Sequence, residues 1–269
     1  MGRHDAALSM RGPQSLFRLD GRVAFVSAAP GHLGSAMTRA LAGAGAHVIV
    51  NARNDEKLAA FEATLRDEGL SVARAAFDVA DAAKVRAFFA SLPRLDILVN
   101  NAITMTPKPF AALEPSDFAQ TYASSVTASF ETVRAALPAL RAADGASVVN
   151  IASMYGVVSP DARIYAHPGQ ASPFHYGPAK AALLQLTRHL AAELGPEKIR
   201  VNALVPGPFP RPDIQFKDPE FATRLAQRTM LGRLGQAEEI AGPLLFLASG
   251  ASSFMTGQSL TVDGGWTAW

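Results

Sequence analysis

Val23-Ala24-Phe25-Val26-Ser27-Ala28-Ala29-Pro30-Gly31-His32-Leu33-Gly34 is the stretch on which the fold turns. Four consecutive apolar residues without alternation read as a strand buried on both faces. A glycine-bearing turn follows, and Leu33, Met37, Ala40, Leu41 and Ala44 then recur at helical spacing. Strand, turn and helix in that order form the first half of a βαβ unit. A turn of this kind, with Gly31 and Gly34 permitting close backbone approach, sets free N–H groups of a helix toward an anion such as a dinucleotide pyrophosphate.

The same grammar repeats along the chain. Strands are expected at His47–Val50, Ser71–Phe77, Asp96–Asn100, Ser147–Ile151, Ile199–Val205 and Ser259–Val262. Helices are expected at Asp55–Asp67, Asp81–Ser91, Pro115–Arg141, Tyr176–Leu194 and Ala237–Ala248. Alternation of apolar strands with helices predicts an α/β, single-domain, Rossmann-like three-layer fold, with a seven-stranded parallel sheet and helices on both faces. Two stretches rich in Pro and Gly, Gly156–Pro173 and Pro206–Pro219, each follow a strand. They are expected to be loops over the carboxyl edge of the sheet, where such folds bind ligands. Residues 1–18 are expected to be a poorly ordered lead-in and 19–269 the domain.

Composition narrows the function classes. The chain has 269 residues, 49 % of them hydrophobic and 18 % charged, enough for one extended core. A net charge of +2 does not argue for nucleic acid, and no apolar run approaches a membrane span or signal peptide. With no cysteine, disulfides, thiolate nucleophiles and cysteine metal sites are excluded, which is compatible with a cytoplasmic location. The histidines show no metal-ligand spacing, so no metal is expected.

Tyr176-Gly177-Pro178-Ala179-Lys180 opens the helix that runs to Leu194. Residues four apart share a helix face, so the Lys180 ammonium can sit beside the Tyr176 phenol and favour its ionised form. Pro178 belongs in a first turn, which places Tyr176 at the helix start. The second strand ends Asn51-Ala52-Arg53: no acid is present to bond ribose hydroxyls, whereas an arginine suits a 2′-phosphate.

Taken together, the turn Ser27–Gly34, the run Asn100-Asn101-Ala102 and Tyr176-x-x-x-Lys180 resemble the short-chain dehydrogenase/reductase family. So do Arg200-Val201-Asn202-Ala203, Pro206-Gly207, Arg233-Leu234-Gly235 and Thr256-Gly257-Gln258-Ser259-Leu260-Thr261-Val262-Asp263-Gly264-Gly265; the likeness spans about 19–269. Its usual glycine pattern, Thr-Gly-x-x-x-Gly-x-Gly, would fall on Ser27, Ala28, His32 and Gly34 with two glycines missing; the spacing of its longer-chain members, Thr-Gly-x-x-Gly-x-x-Gly, falls on Ser27, Ala28, Gly31 and Gly34 with only the first lost and is the register favoured, so that His32 need not do a glycine's job.

The resemblance implies an oxidoreductase interconverting a carbonyl and a secondary alcohol of a small molecule by hydride transfer with NADP(H), in preference to NAD(H). It implies that Tyr176 is the proton donor, that Lys180 lowers its pKa and holds the nicotinamide ribose, and that Ser153 orients the substrate oxygen. Cofactor contacts are implied at Ser27, Gly31, His32, Leu33, Gly34, Arg53, Asp78, Val79, Asn101, Ala102, Tyr176, Lys180, Pro206, Gly207, Phe209 and Arg211. The family's further catalytic asparagine falls on Ser125, and its usual threonine four places after Gly207 is Arg211. Ser153 and Tyr176 are 23 positions apart, roughly ten more than is usual, so residues have been added over the mouth of the site. Asp161, Arg163, Tyr165, His167 and His175 are candidate polar contacts there. A homotetramer or homodimer is implied, with Trp266 and Trp269 buried at the interface. The alternative is a non-redox enzyme on the same scaffold (a lyase, isomerase or cyclase) or a cofactor-sensing protein, motivated by the altered turn, Ser125 and Arg211; Lys180 argues against it.

Overall fold

The computed structural model describes residues 12–166 and 171–269, the side chains of Ile214 and Gln215 excepted. Seven strands form one parallel sheet: β1 (Val23–Val26), β2 (His47–Ala52), β3 (Val72–Ala76), β4 (Ile97–Asn100), β5 (Ala146–Ile151), β6 (Ile199–Pro206) and β7 (Ser259–Val262). Their order is β3-β2-β1-β4-β5-β6-β7. Chain direction across the sheet reverses between β1 and β4, and that crevice at the strands' carboxyl ends is where doubly wound folds take ligands.

One face carries α1 (His32–Gly43), α2 (Asp55–Asp67) and, near the C-terminus, α9 (Ala241–Ala248), with Met37, Leu41, Leu58, Leu244 and Leu247 fully buried. The other carries α3 (Ala82–Ala90), the helices α4 (Pro115–Tyr122) and α5 (Ala128–Arg141), and α6 (Tyr176–Leu194). There Phe25 of β1 meets Phe77, Phe88 and Phe89, with ring centroids 5.1 to 6.1 Å apart. Helix starts are locally encoded: Asn54 and Asp81 accept N–H bonds from Lys57 and from Ala83 and Lys84.

The expected single helix over Pro115–Arg141 is interrupted. It comprises α4 (Pro115–Tyr122), a π-helical turn (Ala123–Thr127) and α5 (Ala128–Arg141). The stretch Pro206–Pro219 is not wholly irregular either: Pro212–Lys217 forms the short helix α7, and α8 (Pro219–Gln227) follows. Ala237–Ile240 is a 3₁₀ turn leading into α9 rather than part of it. Within residues 1–18, Pro13–Phe17 forms a 3₁₀ turn, and residues 1–11 lie outside the described residues.

Buried polar side chains stitch the layers beneath the carboxyl edge. Thr132 donates to Asn100 Oδ1 (2.7 Å), Asn100 to Asn150 Oδ1 (2.9 Å), and Asn150 to Thr187 Oγ1 (2.9 Å), so α5, β4, β5 and α6 are tied in one line. Arg200 of β6 donates to the carbonyls of Leu247 and Ser249 at the end of α9 and to Ser252 Oγ. Arg200 therefore caps α9. Among the described residues no helix is long and apolar enough to cross a membrane.

Candidate active site

The turn after β1 is built around a strained alanine. Ala28 holds φ at 51°, a left-handed conformation that glycine adopts without cost. Its carbonyl accepts from Gly31 N (3.1 Å) and from the Asn101 side-chain amide (3.3 Å). A Cβ at Gly34 would lie 2.4 Å from that carbonyl oxygen, and one at Gly31 3.1 Å. Ala28, Gly31 and Gly34 thus fill the three special positions. His32 takes ordinary helical geometry as the first residue of α1.

Ser27 and Asn101 act within this turn. Ser27 Oγ donates to Val99 O and accepts from Asn101 N (2.8 Å) and Ala102 N (3.1 Å), locking β1 to the end of β4. Leu33 packs against the core behind the turn. His32 Nε2 is buried without a hydrogen-bond partner among the described residues, and burial lowers the imidazole pKa, with Glu238, Arg211 and Asp213 also acting on it. Beside it opens a cavity of about 990 Å³ lined by His32, Ser35, Arg39, Pro210, Phe216 and Glu238. Of the catalytic candidates Ser153, Tyr176 and Lys180, none lines this cavity, which lies beside the turn after β1. The helix start without a side-chain cap, the room beside Gly31 and the imidazole nitrogen without a partner among the described residues fit a bound phosphate group.

At the end of β2, Arg53 lies 3.8 Å from Asp78, and both are well exposed. The Asn51 amide is used internally, donating to Ala75 O and Phe77 O, so Arg53 and Asp78 are the polar groups this edge offers to an adenosine. Val79 is buried in the core.

Ser153, Tyr176 and Lys180 converge at the ends of β5 and α6. Two close approaches fix them. A Cβ at Gly177 would lie 2.8 Å from the Tyr155 carbonyl oxygen, and one at Gly156 2.8 Å from the Lys180 carbonyl carbon. The turn Met154–Gly156 is therefore clamped to the first turn of α6. Lys180 is 3 % exposed; its Nζ donates to Ile151 O (2.6 Å) and stands 5.6 Å from the centre of the Tyr176 ring. Burial lowers its pKa to about 8. For Tyr176, burial raises the pKa and the hydrogen bond with Ser153 lowers it. The expected lowering by Lys180 is not the governing influence, because its ammonium is engaged by the Ile151 carbonyl and lies beside the ring.

Ser125 sits in the π turn, 1 % exposed, its Oγ without a hydrogen-bond partner. Its neighbour Ser124 is fully engaged with Thr104, accepting from N (2.9 Å) and donating to O (3.3 Å). A π turn widens the helix by one residue and often marks a functional position.

At the end of β6, Gly207 passes Asp263 so closely that a Cβ would lie 2.4 Å from the Asp263 Cα, which accounts for the glycine after Pro206. Phe209 packs its ring over Gly235. Arg211 is 62 % exposed and pairs with Asp213 at 3.2 Å.

In the added stretch, Asp161 and Arg163 pair with each other, and Arg163 is the more exposed. His175 is fully buried, bonded to Thr121 Oγ1 (2.9 Å) and Thr106 O (3.3 Å), so it braces α4 and does not face the mouth. His167 lies outside the described residues. Trp266 is buried by its own chain, against Met154, Ile164 and Leu225, and needs no partner subunit; Trp269 is exposed. Sequence reasoning missed Tyr155, whose hydroxyl meets that of Tyr165 at 2.6 Å. Its position two residues after Ser153 was the available signal.

Comparison with known proteins gives the family. The family model described as Enoyl-(Acyl carrier protein) reductase matches residues 28–267, and the chain belongs to the short-chain dehydrogenase/reductase family. It is an oxidoreductase of that class. Among relatives, gluconate 5-dehydrogenase of Gluconobacter oxydans is 34 % identical over 94 % of this chain and 97 % of its own. Galactitol 2-dehydrogenase (L-tagatose-forming) of Cereibacter sphaeroides is 36 % identical over 95 % and 99 %. Among solved structures, a gluconate 5-dehydrogenase from Burkholderia cenocepacia in complex with NADP and tartrate aligns with a TM-score of 0.85 at 34 % identity, over 96 % of this chain and 100 % of that one. The Pseudomonas aeruginosa RhlG/NADP active-site complex aligns at 0.85 and 32 % identity, over 94 % and 99 %.

Proposed function

We propose that this protein interconverts a carbonyl and a secondary alcohol of a small molecule, with NADP(H) as hydride carrier. The observation that carries the reading is the convergence of Ser153, Tyr176 and buried Lys180 at one end of the β1–β4 crevice, with the phosphate-fitting turn at the other. NADP(H) supplies the hydride when bound. The N–H groups at the start of α1, with His32 and Leu33, would hold its pyrophosphate. Arg53 would meet the 2′-phosphate, and Asp78 and Val79 would border the adenine. Asn101, Ala102, Pro206, Gly207 and Phe209 would border the nicotinamide half, and Arg211 would leave Asp213 for a phosphate. NADP complexes of two relatives support this choice.

In the reducing direction, Tyr176 Oη gives its proton to the substrate oxygen as negative charge develops there, and Ser153 Oγ holds that oxygen in line. Lys180, positively charged below about 8, stabilises the resulting phenolate through space and would hold the ribose. Ser125 Oγ, with its hydrogen-bonding capacity free, would hold a water that returns the proton to the pair. A cytoplasmic location and assembly into homodimers or homotetramers belong to the same reading.

Tyr176→Phe tests it. The variant is expected to lose at least about a hundredfold in turnover of NADPH with ketones, the usual worth of a positioned acid. NADPH binding, followed by fluorescence, should be retained. Wild-type turnover in the variant would refute the assignment.

A further inference from the structure

The turn that delivers Ser153 delivers a second hydroxyl as well. Because Gly156 and Gly177 hold the Met154–Gly156 turn against α6, Tyr155 sits against the first turn of that helix, which Tyr176 opens, and Tyr176 acts on it electrostatically. The Tyr155 hydroxyl meets Tyr165 of the added stretch at 2.6 Å, oxygen to oxygen. Both rings are braced from behind: Tyr155 lies edge-on to Trp266 at 6.4 Å and Tyr165 tilts on Phe221 at 5.7 Å. Arg224 donates to Ile164 O at 2.7 Å and anchors the added stretch next to Tyr165.

Counting protons shows what this pair can still do. Two phenols carry two O–H hydrogens, and their mutual bond uses one. The Ser172 N–H is directed at the Tyr165 oxygen and supplies another donor rather than an acceptor. Whichever phenol donates within the pair, one O–H remains with no acceptor among the described residues. Burial raises the Tyr155 pKa, with Tyr165 and then Tyr176 and Asp161 acting the same way, and so favours its neutral form. The pair is thus a neutral donor on the turn that follows Ser153, with both residues half-buried.

Resting on the carbonyl–alcohol reading above, the geometry points to Tyr155 and Tyr165 as a paired-phenol subsite for an oxygen substituent near the reacting carbon. The substrate class is then hydroxylated ketones and polyols, in preference to plain alkyl ketones. A donor aimed at a substrate oxygen selects against an analogue lacking that oxygen, because the donor is left unsatisfied.

Erythrulose and butan-2-one test this, sharing one carbon skeleton and differing in hydroxyl groups. With NADPH, wild-type kcat/KM is expected to favour erythrulose by at least about tenfold, the worth of one such bond. Tyr165→Phe and Tyr155→Phe, which keep the rings and their packing, should each cut that ratio about tenfold. An unchanged ratio in both variants, or an equal fall for both ketones, overturns the subsite. If wild type reduces neither ketone, the carbonyl–alcohol reading with NADPH fails on its own. Erythrulose binding, read from the fluorescence of Trp266 beside Tyr155, then decides the subsite. Binding weakened by Tyr165→Phe supports it, and absent or unweakened binding overturns it.

Discussion

Ala28 and Lys180 each hold a position that their chemistry resists. Ala28 occupies a left-handed backbone well at about 1 kcal/mol or more above its preferred conformations. Ala28→Gly is therefore expected to stabilise the protein, by about 0.5 to 1 kcal/mol, since relief of strain exceeds the added freedom of the unfolded chain. Urea unfolding of the two proteins checks this; a destabilised variant would show that the turn is relaxed around alanine. Lys180 is buried beside a carbonyl, with its pKa lowered to about 8 from 10.5. Below pH 8 both folded and unfolded states carry the proton and the full penalty of burying the charge applies. Between about 8 and 10.5 the folded state has lost the proton that the unfolded state keeps, so stability should rise with pH across that window. The total is about 3 kcal/mol, and Lys180→Met should abolish the rise. Chemical denaturation from pH 7 to 10.5 reads both; a flat wild-type profile contradicts the lowered pKa.

The π turn between α4 and α5 presents two adjacent serines with opposite roles. Ser124 bonds the Thr104 backbone at both N and O and so ties the segment after β4 to the helix. The Oγ of Ser125, also buried, has no hydrogen-bond partner among the described residues. Ser124→Ala should cost about 1 to 2 kcal/mol, whereas Ser125→Ala should change stability by less than about 0.5 kcal/mol. Turnover should show the reverse pattern, falling in Ser125→Ala if its hydroxyl holds the water that serves Lys180. Thermal melts paired with NADPH oxidation assays separate the two; equal effects of both substitutions on stability would remove the distinction. A regular α-helix over Pro115–Arg141, as the sequence pattern suggests, would turn this stretch differently. The extra residue of the π turn is what brings Ser124 to Thr104.

Across the whole molecule, the crevice between β1 and β4 sets Arg53 at one extremity and Tyr176 at the other, with Gly31 and Gly34 between. Arg53→Ala should weaken NADPH binding about tenfold while sparing NADH, the effect of removing one phosphate-facing cation at an exposed edge. Titration of both cofactors measures it; equal loss for the two would mean that Arg53 does not read the 2′-phosphate. Much of this arrangement was legible beforehand. Buried parallel strands announce themselves as unbroken apolar runs, and a first-turn proline beside Tyr176 and Lys180 declares the helix start, because both signals depend on neighbours within a few residues. The Ala28–Gly31–Gly34 register could be chosen for the same reason, and the left-handed Ala28 supports it. Other features depend on residues distant in the chain. Burial of His175 under Thr121, closure of Trp266 by Ile164 and Leu225, the turning of Lys180 toward Ile151 O and the meeting of Tyr155 with Tyr165 arise only when the sheet brings its loops together. The amino-acid sequence by itself determined the βα succession, the glycine-bearing turn after β1 and the Tyr176–Lys180 face, since periodicity and local sterics suffice for these. Tertiary structure alone decided which hydroxyls and charges are left free to meet a substrate, because hydrogen-bond partnership and desolvation are properties of packed neighbours.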